Sequence, residues 1–415
     1  MSGLAESPPE PSAPSSRGRR WAVMTVVSLG FVMMTVNWFD LAPTFGPISA
    51  EFRVEIPQVA LLISAFVAGY GVFHIPAGFL STRLGIRRTL VIGLVVEGIT
   101  GALSGVAADY TQLLVLRIVC GVGASIYAGI GIAAVSVWFA GRAHGFALGV
   151  VSAMFSLGTA LGLYVWADLA DAVGWRRALV AGGVLCVVTG AAVGVVFRPP
   201  PGGRSLTGVR ITGDAVRQTL GNRRLWIYGV AFLGGYGSFL AASQLIAGYG
   251  ADYRRFSTAG LASLIVGLAG IPGPLVFGLV SDRLGRPRLV LLVAVLLEAV
   301  GLLLVPATGE SWFWVPALIV GFAFNGAFAV WETIPGEDRT VRPENIGTAV
   351  GLMLTITAVG GFALPWAFGL LVPAAGYTTG WVFLGAATAG LALLGVHARD
   401  PGARTPEARV ATSPR

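Results

Sequence analysis

Six titratable residues stand inside long apolar stretches of this 415-residue chain: Asp40, His74, Glu97, Arg117, Glu298 and Glu332. A charge held at the centre of a bilayer costs about 2.5–3.5 kcal/mol, so such groups are retained where they bind, couple or pair. Arginine offers a planar fork of donors to an anion. Carboxyl groups can carry protons. The chain has no H-E-x-x-H, no G-x-S-x-G and no Gly-Lys-Ser/Thr phosphate loop. Its two cysteines, Cys120 and Cys186, lie in apolar runs without a CxxC or Cys/His cluster. The chemistry expected is therefore binding and proton carriage. No catalytic residue, cofactor or metal site is expected, and the chain is not read as an enzyme.

Arg117 has the strongest claim. It stands about seven residues into its apolar stretch, or ~10 Å at 1.5 Å per residue, and no other stretch holds an arginine or lysine. Its functional reading is anion binding or proton coupling; the plain alternative is a structural ion pair. Asp40 follows Asn37 and Trp38 at the end of the first stretch, at a similar depth, and could instead be interfacial. Glu97 and Glu298 occupy corresponding places 201 residues apart. A protonated structural role is favoured for both over a proton site. A helix-packing role is favoured for His74, and a solvated helix end for Glu332. Tyr127, Tyr236 and Asn325 are uncharged cavity candidates. Trp21, Trp226 and Trp312 read as interfacial anchors.

The elements that must position these groups are membrane helices. Hydrophobic residues make up 55% and charged residues 12%, with a mean hydropathy of +0.78, which leaves too little polar surface for a soluble chain. The 59 glycines suit closely packed membrane helices. Cutting at polar and turn-rich points gives spans at 21–44, 57–81, 89–107, 111–134, 144–167 and 177–197, then 224–247, 258–281, 288–307, 312–334, 346–372 and 379–397. The Pro/Gly-rich, basic segment 198–223 reads as a linker between two six-helix bundles, 21–197 and 224–397. Residues 1–20 and 398–415 read as disordered tails. Residues 1–20 lack the apolar core of a signal peptide.

The basic residues are all arginine and form no dense face, so the net charge of +8 does not point to nucleic acid. With the N-terminus inside, 22 of the 28 arginines fall on inner segments and 5 on outer loops. The positive-inside rule then places both termini in the cytoplasm, in a multi-pass protein of the cell's inner (plasma) membrane.

The chain also repeats itself. GFLSTRLGIRR at 78–88 and GLVSDRLGRPR at 278–288 agree at six of eleven positions, 200 residues apart. The shared residues are Gly78/Gly278, Ser81/Ser281, Arg83/Arg283, Leu84/Leu284, Gly85/Gly285 and Arg88/Arg288. Each copy follows the second span of its half, as in transporters built from repeated halves. Gly78 and Gly278 permit close helix contact, and Gly85 and Gly285 a tight turn.

With this duplicated loop the chain resembles the major facilitator superfamily over its whole membrane region. Arg117-x-x-x-Gly121-x-Gly123, Trp138-Phe139 with Arg142 and Gly145, and Gly174-Trp175-Arg176 resemble further motifs of that superfamily, in the right order. The resemblance implies twelve helices in two six-helix bundles related by a pseudo-two-fold axis. It implies a central cavity lined by spans 1, 4, 7 and 10, which brings Asp40 and Arg117 together. It also implies that the loop motif locks the inner side. Thr82 stands where the first copy should carry an acid; Asp282 is intact in the second.

Asn37-Trp38-x-Asp40 resembles the N-Y-x-D-R segment of the superfamily's organic-anion/proton symporters, with Leu41 in place of the arginine. The function expected is secondary transport of a small solute, an organic anion or related metabolite, by alternating access coupled to protons. The partners expected are that solute, protons and the lipid bilayer, with the chain a monomer. The alternatives are a drug or metabolite exporter, against which the stretch SAMFSLGTALGLY lacks the Gly-Pro motif, and a membrane-embedded sensor or enzyme.

Overall fold

The computed structural model describes residues 15–139, 144–199, 213–338, 340–341 and 346–397. The described chain is helical throughout, with no strand among the described residues. The first half comprises α1 (Ser15–Phe39), α2 (Phe45–Phe52), α3 (Ile56–Leu84), α4 (Ile86–Ser104), α5 (Tyr110–Phe139), α6 (His144–Ala160), α7 (Trp166–Val173) and α8 (Trp175–Val196). A short α9 (Gly213–Leu220) precedes the second half. That half holds α10 (Arg223–Gly248), α11 (Ala259–Ala269), α12 (Pro272–Leu284), α13 (Pro287–Leu304), α14 (Trp314–Glu337) and α15 (Ile346–Leu394). π-helical turns at Leu161–Val165 and Tyr249–Tyr253 join α6 to α7 and extend α10.

Ten described helical segments are long and apolar enough to cross a membrane. The passes number twelve for two physical reasons. α4 carries Arg87, Arg88 and Glu97 within its 19 residues, too much charge for an apolar criterion. The 49 residues of α15 hold two passes. A straight helix of that length would run ~74 Å against a ~30 Å hydrocarbon core, and the chain turns back at Gly376, where φ is 85°.

The repeat is written into the backbone. The described residues with positive φ form three pairs: Arg53 and Arg255 (55° and 60°), Gly85 and Gly285 (77° and 58°), Gly174 and Gly376 (86° and 85°). Each pair lies 200 or 202 residues apart, so every left-handed turn of the first half has its counterpart in the second. Packing repeats as well. α4 lies against α5 and α8, and α13 against α14 and α15; α3 packs on α5 as α11 and α12 pack on α14.

α1 begins at Ser15, inside the stretch expected to be a tail. Beyond Pro14 no proline interrupts the run, so the apolar helix extends backwards through it. It also ends earlier than expected, at Phe39. Residues 1–14, 200–212 and 398–415 lie outside the described residues, as do Arg142 and the side chains of Gly145, Gly78 and Thr82.

The halves meet along two seams. α3 runs beside α15, where the Ser64 hydroxyl donates to the Phe362 carbonyl (2.7 Å) and Thr355 Oγ1 to the Gly71 carbonyl (3.3 Å). α6 meets α11, where a Cβ at Gly267 would come 2.5 Å from the Ala160 nitrogen. On the face opposite the start of α1, the turn Ala42–Thr44 packs on α10.

Candidate functional site

The end of α1 sets up the first polar centre. A helix leaves its last carbonyls without intrahelical donors and carries a partial negative charge there. Arg117, reaching across from α5, donates Nη1 to the Asn37 carbonyl (3.0 Å) and Nη2 to the Trp38 carbonyl (2.9 Å). Its guanidinium carbon also stands 4.8 Å from the centre of the Phe66 ring, a cation–π contact. The side chain is 2% exposed. Its desolvation is offset by carbonyls and a ring rather than by a carboxylate.

Asp40, one residue past α1, is buried beside this centre. Its Oδ1 has no hydrogen-bond partner, and Oδ2 lies against Gly182 of α8. The described ion pairs are Arg176–Glu51 and Arg224–Asp338; Asp40 and Arg117 are joined in neither. Asn37 donates Nδ2 to the carbonyls of Met33 (2.9 Å) and Gly182 (3.2 Å), which leaves Oδ1 without a partner. Glu97, on α4, is fully buried with both oxygens unpartnered. The Cys120 thiol, donating to the Glu97 carbonyl at 3.6 Å, lies between Glu97 and Arg117. Helices α1, α4, α5 and α8 thus enclose a chamber in which Asn37, Asp40, Glu97 and the Arg117 Nε all hold unmet hydrogen-bonding capacity. Buried groups of this kind call for water or a ligand.

An aromatic wall stands next to it. Trp38 contacts the rings of Phe66 (4.7 Å), Tyr70 (4.6 Å) and Phe155 (6.2 Å). Tyr70 in turn meets His74 edge-on at 4.4 Å, and His74 hydrogen-bonds Ser125. The second half answers with Phe232, Tyr236, Phe324 and Phe328, whose rings lie 5.8–6.5 Å apart in the contacts that Phe232 and Tyr236 make. On α14, Asn325, Phe328 and Glu332 recur at helical spacing and are partly exposed. Glu332 lies within electrostatic range of Tyr70 and Tyr236, one tyrosine from each half. It therefore faces the space between the halves, where the chain pattern alone suggested a solvated helix end.

Other expected residues lie elsewhere. Tyr127 is not on this face: it is fully buried, donates its hydroxyl to the Val27 carbonyl (2.7 Å) and packs edge-on to Phe31. Glu298 is also fully buried, with both oxygens unpartnered, over Gly235 of α10. In the repeated loops, Gly85 and Gly285 make the left-handed turns. Asp282 and Arg283 are exposed at the end of α12, and Asp282 takes part in no described ion pair. Arg83 ends α3, and Arg88 and Arg288 stand in the first turns of α4 and α13.

Several contacts escaped sequence reading. Phe66, Tyr70 and Phe155 carry no signal in their types that separates them from lipid-facing rings. The Gly174-Trp175-Arg176 turn is a clasp: Trp175 donates to Glu51 (2.9 Å), and Arg176 reaches Glu51 (2.6 Å) and the carbonyls of Gly105 (3.2 Å) and Ala107 (2.8 Å). The Gly270-Ile271-Pro272-Gly273-Pro274 run did carry a signal, for an interrupted helix.

The sequence model of a family described as Major Facilitator Superfamily matches residues 26–365. The chain is 25% identical over 384 residues to a probable nitrate/nitrite antiporter of Thermus thermophilus, covering 84% of each. It is 25% identical over 392 residues to a probable sulfoacetate transporter of Cupriavidus necator, covering 86% of this chain and 88% of that one. A hexuronate transporter of Escherichia coli is 25% identical over 193 residues, 46% of this chain and 44% of that one. Among solved structures, a bacterial homolog of the human lysosomal transporter Spinster, in an inward-facing and occupied conformation, superposes with a TM-score of 0.73 at 16% identity. It covers 93% of this chain and 99% of that one, a likeness of fold.

Proposed function

The chain belongs to the Major Facilitator Superfamily, a family of membrane transporters, and from that premise we propose that it is a proton-coupled secondary carrier of a small organic anion. The observation that carries the proposal is the desolvated Arg117 guanidinium, held on the carbonyls at the end of α1, with the unpartnered carboxyl of Asp40 beside it. A protonated Asp40 leaves Arg117 on the carbonyls. An ionised Asp40 competes for the same fork, because a carboxylate is the stronger acceptor. Proton release then pulls the end of α1, and the Trp38 wall with it, relative to α5. The halves rock about the α3/α15 and α6/α11 seams, so the site between them faces one side at a time. The excess of arginine on the face where α1 begins supports placing that face, and both termini, in the cytoplasm. The printed names of the relatives, which carry nitrate or nitrite, sulfoacetate and hexuronate, support an anion.

The test is uptake of nitrate, sulfoacetate and glucuronate into proteoliposomes with and without an imposed pH gradient, with an internal pH dye reporting proton movement. Uptake that ignores the gradient removes the coupling. A second reading, export of a cationic or apolar compound, is favoured by Glu332 and the aromatic walls; tetraphenylphosphonium flux in the same vesicles separates the two.

A further inference from the structure

Three polar groups from three helices converge at the middle of the membrane, on the seam between the halves. Gly270 lies midway along the α11–α12 pass, Asn325 midway along α14, and Ser156 near the middle of the α6–α7 pass. A Cβ placed at Gly270 would fall 2.5 Å from the Ser156 hydroxyl and 2.7 Å from Asn325 Nδ2. The missing side chain is what lets the two groups approach. Ser156 belongs to the first half, and Gly270 and Asn325 to the second.

Each member has unused capacity. Hydroxyls of membrane helices commonly donate to the carbonyl four residues back, as Thr35, Thr100, Ser104, Thr159 and Thr189 do here. Ser156 does not: it is 2% exposed and its hydroxyl has no partner. Asn325 spends one amide N–H on the Gly321 carbonyl (2.9 Å), leaving the other N–H and its carbonyl oxygen. The helix itself is interrupted between Ala269 and Pro272. Pro272 and Pro274 lack N–H groups, so the carbonyls of Leu268 and Gly270 lose their ordinary donors. Leu268 recovers one from Ile271 (3.0 Å). Interrupted helices at the midplane are where transporters of this architecture place polar ligand groups.

We propose that Ser156, Asn325 and the interrupted helix at Gly270 form the polar end of the substrate site, taking a hydroxyl group of a small solute; this rests on the transport reading above. The donor set is one O–H, one N–H and two carbonyl oxygens, with no ionised side chain. A carboxylate there would face two carbonyl oxygens, and an ammonium would find no counter-charge. A hydroxyl both donates and accepts, and so satisfies the set. The carbon skeleton would lie between Phe155, edge-on to Trp38, and Phe324, stacked on Phe239 at 3.8 Å. Because its partners come from both halves, the bound hydroxyl ties them together across the α6/α11 seam.

The test uses the full chain in lipid nanodiscs and three solute pairs differing in hydroxylation: glycolate and acetate, gluconate and hexanoate, glycerol and 1-propanol. Binding is read by tryptophan fluorescence. Wild type should favour the hydroxylated member of at least one pair roughly tenfold or more. Ser156→Ala and Asn325→Leu should bring that ratio to about one while the other member binds as before. Ser156→Cys and Asn325→Cys should react with a hydrophilic methanethiosulfonate, and the hydroxylated solute should slow the reaction. The buried Cys120 and Cys186 of wild type give the unreactive baseline. Equal binding within every pair, no binding of any of the six solutes, or unreactive cysteines overturns the assignment. Gradient-driven flux in proteoliposomes is a separate reading: if it persists while these results fail, the site is wrong and the carrier stands.

Discussion

Replacing Arg117 by lysine tests the coupling centre most sharply, because it keeps the charge and removes the fork. The guanidinium spans the Asn37 and Trp38 carbonyls at 3.0 and 2.9 Å, and stands 4.8 Å from Phe66. An ammonium is a point charge with a shorter reach, so it can keep at most one of the two carbonyls. A hydrogen bond from a charged donor contributes about 1.5–3 kcal/mol, and a desolvated cation–π contact about 2 kcal/mol. Losing one bond and part of the ring contact therefore costs about 2–4 kcal/mol. At 1.4 kcal/mol per tenfold, that is roughly 30-fold or more in the population of the anchored state. Gradient-driven uptake in proteoliposomes should fall by at least that factor in Arg117→Lys and be lost in Arg117→Ala, with membrane insertion unchanged. If Asp40 competes for the fork, Asp40→Asn with Arg117→Gln should be less damaging than the two single effects combined. Uptake by Arg117→Ala close to wild type would refute the reasoning, as would strict additivity in the pair.

The remaining expectations are narrower. Tyr127→Phe loses one buried hydrogen bond, about 0.5–1.5 kcal/mol, so its melting temperature in detergent should drop by a few degrees while flux stays unchanged. Gly267→Ala places a methyl 2.5 Å from the Ala160 nitrogen, against backbone that cannot yield cheaply. Cross-linking of cysteines placed across the α6/α11 seam should weaken and flux should fall. Arg176→Ala removes the clasp on Glu51, Gly105 and Ala107. Exposed ion pairs contribute little, but the two carbonyl bonds should make the loss about 1–2 kcal/mol by thermal unfolding. Glu332→Gln keeps the shape of the α14 face and removes its charge; the pH dependence of uptake should flatten, measured at fixed membrane potential.

The fold was legible because its signals are one-dimensional. Hydrocarbon thickness sets the length of an apolar run, and the offset of 200 residues between the Gly85 and Gly285 loops shows directly in the letters. The same offset then reappears in dihedral angles, at Arg53 and Arg255, where arginine residues give no hint of a left-handed turn. The boundaries were less legible. Nothing in Ser15–Arg20 marks it as helix except the absence of proline after Pro14, and a polar helical turn beyond the bilayer reads like a tail.

The polar sites show where such reading stops. Depth can be counted along a helix at 1.5 Å per residue, and by that count Asp40 and Arg117 share a level. Rotation cannot be counted in the same way, because apolar residues surround the helix on every side and leave no amphipathic stripe to define a face. Arg117 turns toward the end of α1 and meets carbonyls that no sequence displays as ligands; they become available only because the helix stops at Phe39. Ser156 makes the same point from the other side. As a letter it is one serine among several. It becomes a candidate ligand because Gly270, 114 residues away, lacks a side chain, and because two prolines break the helix behind it. In a chain built from apolar helices, a site is made where a helix ends or breaks. The residues that announce it are the glycines and prolines that permit the break, more than the polar side chains that use it.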